Sequence, residues 1–452
     1  MTDTSTELTV ESRATARDST VSSPEGDLKT VVAEQLEVAR RRSLELLAPL
    51  TEPQLVQQHS PLMSPLVWDL AHVGNYEEQW LVRAVGGDAL RPEIDGIYDA
   101  FRHPRKDRPS LELLGPAEAR DYIATVRGRV LDQLERVSIG ESPLLDQAFV
   151  YGMVVQHEHQ HDETMLATLQ LMEGDAYRPD APAPPAGGPV GPAEVRVDGG
   201  LFTMGTSTEP WAYDNERPAH TVDLPPFFID TTPVTNGAYA AFIDDGGYAA
   251  SRWWTEAGWQ WRQEAGLEHP EFWRREGSGS WSRRRFGLVE DLPLDEPVQH
   301  VCWYEAEAFA RWAGKRLPTE AEWEKAASWT PDGEKRRYPW GNDAPSARTA
   351  NLSQRHFRPA PVGAYADGVS PWGCHQMIGD VWEWTSSDFV PYPEFSSFPY
   401  REYSEVFWGS DYKVLRGGSW AVHPSAVRAT FRNWDYPIRR QIFSGFRCAR
   451  DA

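Results

Sequence analysis

Cysteine is scarce in this chain. Its 452 residues hold three, Cys302, Cys374 and Cys448, with no CxxC pair among them. A disulfide framework is therefore excluded, and the scarcity fits a reducing compartment. No run approaches the roughly 18 to 20 apolar residues that span a bilayer, and the N-terminal MTDTSTELTVESRATARDST has no apolar core of a secretory signal. The protein reads as soluble and cytoplasmic. Positive charge is also in short supply, with 45 basic against 67 acidic residues and a net charge of −22. Such a surface repels phosphate, which excludes nucleic acid and anionic membrane as partners. Nothing in the composition sets an oligomeric state.

What is present divides the chain in two, as its length leads one to expect. Residues 1–26 are rich in Ser, Thr, Asp and Glu without periodicity and read as a disordered tail. From Asp27 the apolar positions Leu28, Val32, Leu36 and Ala39 have helical spacing. A second helix is expected after Ser64 as cap and Pro65 in the first turn, closing at Gly86-Gly87. A third runs from about Pro116 to Val137 and a fourth from about Leu144 to Glu173. Four such helices predict an all-α four-helix bundle over 27–177, an architecture that turns metal ligands inward from facing helices. The Pro- and Gly-rich RPDAPAPPAGGPVGPAE (178–194) has the composition of a linker. Beyond it, 195–452 breaks into short apolar runs and carries most of the 20 tryptophans, an irregular α+β domain with helices expected near Asn236–Asp244, Trp303–Gly314 and from Glu320.

The fourth helix contains HEHQHDE (157–163). His157 and His161, four apart on the apolar stripe, have Cβ atoms roughly 5 to 6 Å from each other on one face, so both rings can reach one ion. His159 lies about 200° around the helix from His157 and is read as a supporting or surface residue. His72, in VWDLAHVG of the second helix, is the candidate third ligand, although an isolated histidine among apolar neighbours is more often packing. Three neutral imidazoles suit zinc, iron, copper or nickel alike. HEHQH also matches HExxH, in which Glu158 would be the general base of a zinc metalloprotease. Against that rival, the helix runs into the Pro-rich linker, where a thermolysin-like protease needs a further ligand helix. Thr164 and Ala167 stand where the longer metzincin pattern needs Gly and His.

On these residues the chain resembles a known family. The first domain is similar to the DinB-like bundle. SPLVWDLAHVG, YDAFRHPRKDR and GMVVQHEHQHDETML resemble the sulfoxide synthases of ergothioneine biosynthesis, in their actinobacterial form. GGLFTMGT, NERPAHTVDLPPFFID, MIGDVWEWTSS, VLRGGSWAV and GFRCA resemble the formylglycine-generating-enzyme fold, a C-type-lectin-like module. The resemblance implies Fe(2+) on His72, His157 and His161, with O2 as co-substrate. It implies coupling of γ-glutamylcysteine to the imidazole C2 of Nα-trimethylhistidine (hercynine), with oxidation of the sulfur to a sulfoxide.

Carried over to this sequence, Arg105 and Arg108 match the pair that binds the thiol substrate's carboxylates, a task for which guanidinium forks are suited. Gln160, Asn433, Trp434 and Asp435 match the hercynine-binding positions; a trimethylammonium donates no hydrogen bond and is held by an aromatic face and a carboxylate. Tyr400 matches the catalytic tyrosine that gives a proton to the oxygen being reduced, with Tyr403 the neighbouring alternative. The bland readings are a solvated basic loop for the arginines and core packing for Trp434. The chain departs from formylglycine-generating enzymes at their copper site, because Cys448 has no partner cysteine in VRATFRNWD. A synthase using free cysteine or free histidine, as in ovothiol synthesis, is the near alternative. A lectin-like binding module beside an inert bundle is the non-enzymatic one.

Overall fold

The periodic segments of the first half form helices, and their apolar stripes meet. The computed structural model describes residues 24–174 and 177–452. The stripe of Val32, Leu36 and Ala39 is buried on α1 (Pro24–Leu47). This helix starts three residues earlier than Asp27, with Glu25 and Asp27 in a first turn whose dipole favours acids. Of the expected tail, 24–26 are thus helical, and 1–23 lie outside the described residues. After the short α2 (Glu52–Val56), α3 (Leu66–Glu78) continues into a π-helical turn at Gln79–Arg83. Pro65 rather than Ser64 occupies the cap position. The Ser64 hydroxyl instead accepts from Arg108 Nη1 at 2.6 Å.

A connecting segment carries α4 (Asp95–Tyr98), and α5 (Pro116–Arg136) and α6 (Phe149–Leu171) complete the bundle. The last helix begins five residues later than its apolar pattern suggests. Gln147 and Ala148 both adopt left-handed backbone (φ 46° and 58°), which breaks the helical run. α3 meets α5 at Gly74, where a Cβ would lie 2.5 Å from Ile123 Cγ2, so only glycine permits that approach.

Residues 178–193 hold no helix or strand, yet they lie along the second half rather than hanging free: His356 Nδ1 is 2.9 Å from the Pro182 carbonyl, and Thr231 N–H donates to Ala193. The strands that follow are short: β1 (Glu194–Val197), β2 (Gly200–Met204), β3 (His220–Leu224) and β4 (Phe227–Asp230). Then come α7 (Asn236–Asp244), α8 (Glu256–Glu264), and the hairpin strands β5 (Trp273–Arg275), β6 (Trp281–Arg285) and β7 (Leu288–Asp291). Helices α9 (Trp303–Trp312) and α10 (Glu320–Ser328) precede β8 (Trp382–Phe389), β9 (Gly409–Arg416), β10 (Asn433–Asp435), β11 (Ser444–Gly445) and β12 (Ala449–Asp451).

β12, the last strand of the chain, pairs with β4 beside β1 and closes the second half on itself. The sheet that matters for the site has the order β10-β9-β8-β11. In it Asn433, Trp434 and Asp435 pair with Leu415, Val414 and Lys413, and the β8–β9 connection carries Tyr400. Buried residues of both halves form one continuous core, from Leu36 and Val154 to Trp384 and Trp420. Among the described residues, no helix is long and apolar enough to cross a membrane.

Candidate active site and metal centre

His72 on α3 faces His157 and His161 on α6, and potential ligand atoms of the three all lie within 4.8 Å of one another. Each ring is oriented from behind. His72 Nδ1 is 2.7 Å from the Tyr98 carbonyl and His161 Nδ1 is 3.2 Å from Asp69 Oδ1, so each Nδ1 carries the proton and leaves Nε2 as a lone pair. His157 has a buried Nδ1 without a hydrogen-bond partner among the described residues, and its ring lies flat on Tyr76, centroids 3.7 Å apart. Burial, assisted by neighbouring His161, pushes His72 and His157 well below the ordinary imidazole range. Three imidazoles that can each offer a ring nitrogen to one point are the donor set a transition-metal dication needs, so these residues fit one.

His159 is neither a ligand nor a surface residue. It is buried, with Nδ1 3.0 Å from Asp162, and stacks at 3.9 Å on His423 of the second half. Glu158 turns into the bundle. Its carboxylate accepts from Arg40 Nε at 2.8 Å, Ser43 Oγ at 3.0 Å and Arg127 Nη2 at 3.4 Å, and it is absent from the wall of the cavity that the three histidines enter. A base pinned in this way cannot activate a metal-bound water, which removes the protease's central requirement.

That cavity, of about 1120 Å³, opens between the halves, and the residues matched to substrate binding and proton delivery, Arg105, Arg108, Gln160, Tyr400 and Asn433-Trp434-Asp435, all line it. Arg105 is half-buried, with Nη1 3.2 Å from the Leu62 carbonyl. Arg108 is buried, its guanidinium 3.5 Å above the Trp68 ring and hydrogen-bonded to Ser64 and the carbonyls of His103 and Ala100. Burial lowers it to about 10, so it remains charged at neutral pH. The run 102–108 is thus a partly built-in wall rather than a solvated loop.

From the second half, Asp435 is pushed up by burial and held back by Arg439 and Arg105. Trp434 presents one face to Phe389 (4.1 Å, nearly parallel), so the core-packing reading holds for that face while the residue still borders the cavity. Gln160 Oε1 accepts from Tyr213 at 3.3 Å. The Tyr400 phenol is raised by burial, and its hydroxyl meets that of Tyr76 at 3.0 Å. A smaller cavity of about 190 Å³ shares Arg105, Gln160, Asn433, Trp434 and Asp435 with the larger one and adds Glu163. Burial pushes the Glu163 carboxyl up to about 7 while it accepts from Trp382 and Ser419.

The sequence reasoning missed Tyr76, Asp69 and Asp214, whose carboxylate accepts from the Ser404 hydroxyl and the Phe398 N–H on either side of Tyr400. Tyr76 carried a signal, since it stands four residues after His72 on the same helix face. Asp214 is recognisable only in the fold.

Two family models divide the chain: residues 35–165 match the DinB superfamily, and 182–452 match the sulfatase-modifying factor enzyme 1-like domain. The hercynine oxygenase of Mycolicibacterium thermoresistibile is 54% identical over 433 residues, covering 93% of this chain and 94% of that protein. The hercynine oxygenase of Mycobacterium tuberculosis is 54% identical over 422 residues, 91% of this chain and 97% of that protein. The chain belongs to the hercynine oxygenase family. Membership makes it an enzyme of the oxygenase class and the shared cavity its candidate active site. The formylglycine-generating enzyme of Streptomyces coelicolor is 37% identical over 308 residues, covering 96% of that protein and only 60% of this chain, so the likeness cannot span both halves. In this hercynine oxygenase family member the three cysteines are buried and free, and burial raises Cys448 well above the usual thiol range, as a packing residue.

Proposed function

We propose that this chain is an iron(II)- and dioxygen-dependent sulfoxide synthase that joins γ-glutamylcysteine to the imidazole C2 of hercynine. The observation that carries the reading is the shared cavity: a three-histidine site on one side, a pair of arginines and the Asn433-Trp434-Asp435 strand on the others. The same reading divides the chain into a bundle (27–177), a connector (178–194) and a second domain (195–452). The family matches ending at 165 and beginning at 182 support that division.

His72, His157 and His161 would hold Fe(2+), which when bound would supply the one-electron chemistry that dioxygen requires. The chain supplies the rest. Arg105 and Arg108 hold the carboxylates of the thiol substrate by charge-assisted bonds, and the fixed Arg108 sets their position. Trp434 and Asp435 receive the trimethylammonium, with Asn433 and Gln160 orienting the amino acid through polar contacts. Tyr400 holds a proton on its hydroxyl, since a buried phenol stays neutral, and delivers it as general acid.

The test is an anaerobic incubation with iron(II), hercynine and γ-glutamylcysteine, followed by air. A sulfoxide product is expected, and failure with γ-glutamylcysteine, cysteine and histidine in every pairing sinks the reading. Faster turnover with free cysteine, or with unmethylated histidine, moves the assignment to the corresponding relative. Stoichiometric iron after reconstitution, absent from a His72→Ala variant, tests the ligand set.

A further inference from the structure

His72, Tyr76 and Trp80 follow one another every four residues along α3 and its π-helical continuation, so they form one stripe facing the cavity. The first enters the metal site. The other two close around Tyr400, which arrives from the second half: Trp80 stacks on its ring at 5.1 Å and 28°, and the Tyr76 hydroxyl lies 3.0 Å from its hydroxyl. Tyr76 also lies flat on His157, so one buried side chain touches both a candidate ligand and the candidate acid.

A phenol has one proton to donate. For Tyr400 to aim its O–H at a reacting atom in the cavity, the 3.0 Å bond must run the other way, from the Tyr76 hydroxyl to the Tyr400 oxygen. We infer that Tyr76 is a positioning residue for the reaction, whose hydroxyl donates to Tyr400, fixes the direction of the Tyr400 proton and stabilises the phenolate left when that proton is delivered. The proton moves from Tyr400 to the oxygen being reduced, and Tyr76 keeps its own. A donor placed where negative charge develops acts on the rate of that step and not on substrate affinity. The bond joins residues 324 positions apart, so the acid is correctly set only when the two halves are docked.

This inference rests on the reading of Tyr400 as the acid, and the experiment separates the two. Tyr76→Phe keeps the ring on His157 and removes the hydroxyl. The yield of sulfoxide relative to simple thiol oxidation is measured for Tyr76→Phe, Tyr400→Phe and the double variant, with KM for both substrates and iron content. Melting temperatures of the metal-free proteins are measured in the same set.

Tyr76→Phe is expected to lower the sulfoxide-to-thiol-oxidation ratio about hundredfold or more, the usual effect of removing one donor to a developing oxyanion. KM and iron content should stay within about twofold, as a purely transition-state contact predicts. The double variant should match Tyr400→Phe, and the two single losses in melting temperature should be non-additive without metal. An unchanged ratio in Tyr76→Phe beside a collapsed one in Tyr400→Phe overturns the inference and leaves the acid reading standing. An unchanged ratio in Tyr400→Phe overturns both. Loss of iron in Tyr76→Phe overturns it too, because the hydroxyl would then serve the ligand set.

Discussion

Glu158 follows a candidate ligand in sequence and points about 100° away from it around the helix. That rotation carries the carboxylate into a buried cluster with Arg40, Arg127, Glu77 and Ser43, where four charges are satisfied together. Glu158→Gln removes one charge and leaves two guanidinium groups short of a partner, so a loss of about 3 kcal/mol or more is expected in chemical denaturation. Metal content and turnover per folded molecule should survive. Abolished turnover at unchanged stability would return Glu158 to the chemistry. Asp214 behaves differently. Burial raises its carboxyl to about 6 even though it accepts from Ser404 and the Phe398 N–H, which hold the segment bearing Tyr400. Its folded value lies above its unfolded one, so the native state binds the extra proton between about pH 4 and 6. Its contribution to stability is greatest below pH 4, falls as pH rises through that window, and is flat beyond it. Two units correspond to a swing on the order of 2 to 3 kcal/mol. The stability difference between the native protein and Asp214→Asn, followed from pH 4 to 7, should show that swing; a pH-independent difference would contradict it.

Helices also show where reading by pattern succeeds. α1, α5 and α6 follow apolar stripes at helical spacing, and that spacing alone puts the His157/His161 pair on one face. The start of α6 could not, because its stop signal is a left-handed Gln147-Ala148 pair in which neither residue is glycine. α8 was missed because EAGWQWRQE has no apolar stripe; its evident local signal is the Thr255 hydroxyl capping Gly258 N–H. His72 stands 85 positions before His157, so no spacing links them, and only the packing of α3 on α6 does. That packing depends on the neighbouring α3–α5 contact at Gly74. Gly74→Ala gains about 1 kcal/mol of helix propensity and meets Ile123, whose displacement costs about 1 to 3 kcal/mol. A net loss in melting temperature with weaker iron retention is expected, since α3 carries His72. Gly74→Ala together with Ile123→Leu removes the clashing Cγ2 branch at similar volume and should recover both. Recovery of neither would show that the close approach does not set the ligand.

At the scale of the molecule, α6 belongs to both halves. Trp211 covers Gly152, leaving no room for a Cβ, and its carbonyl accepts from Gln156 at 3.0 Å. Further along, Gln170 exchanges bonds with the backbone of Arg284 and Phe286. The centre of this junction is Arg428, buried in the second half. It donates to Gln156 Oε1 at 3.0 Å, to the Trp211 carbonyl at 3.2 Å, and to both oxygens of buried Glu216. With one continuous core and such a junction, the helix carrying His157 and His161 and the sheet carrying Trp434 should unfold as one unit. Near-ultraviolet signals, dominated by tryptophans of the second half, and far-ultraviolet helical signals are expected to lose amplitude at the same denaturant concentration. Arg428→Met leaves Glu216 as a buried carboxylate without its cation and should cost about 3 to 5 kcal/mol. Arg428→Met with Glu216→Gln removes both charges and should recover most of that cost. The double variant still lacks the bond to Gln156, so its remaining deficit measures what the junction contributes to holding α6 against the second half. If the far-ultraviolet transition separates from the near-ultraviolet one in the double variant while coinciding in the native protein, this junction makes the two halves one cooperative body. Coincident transitions in both assign that task to the continuous core instead.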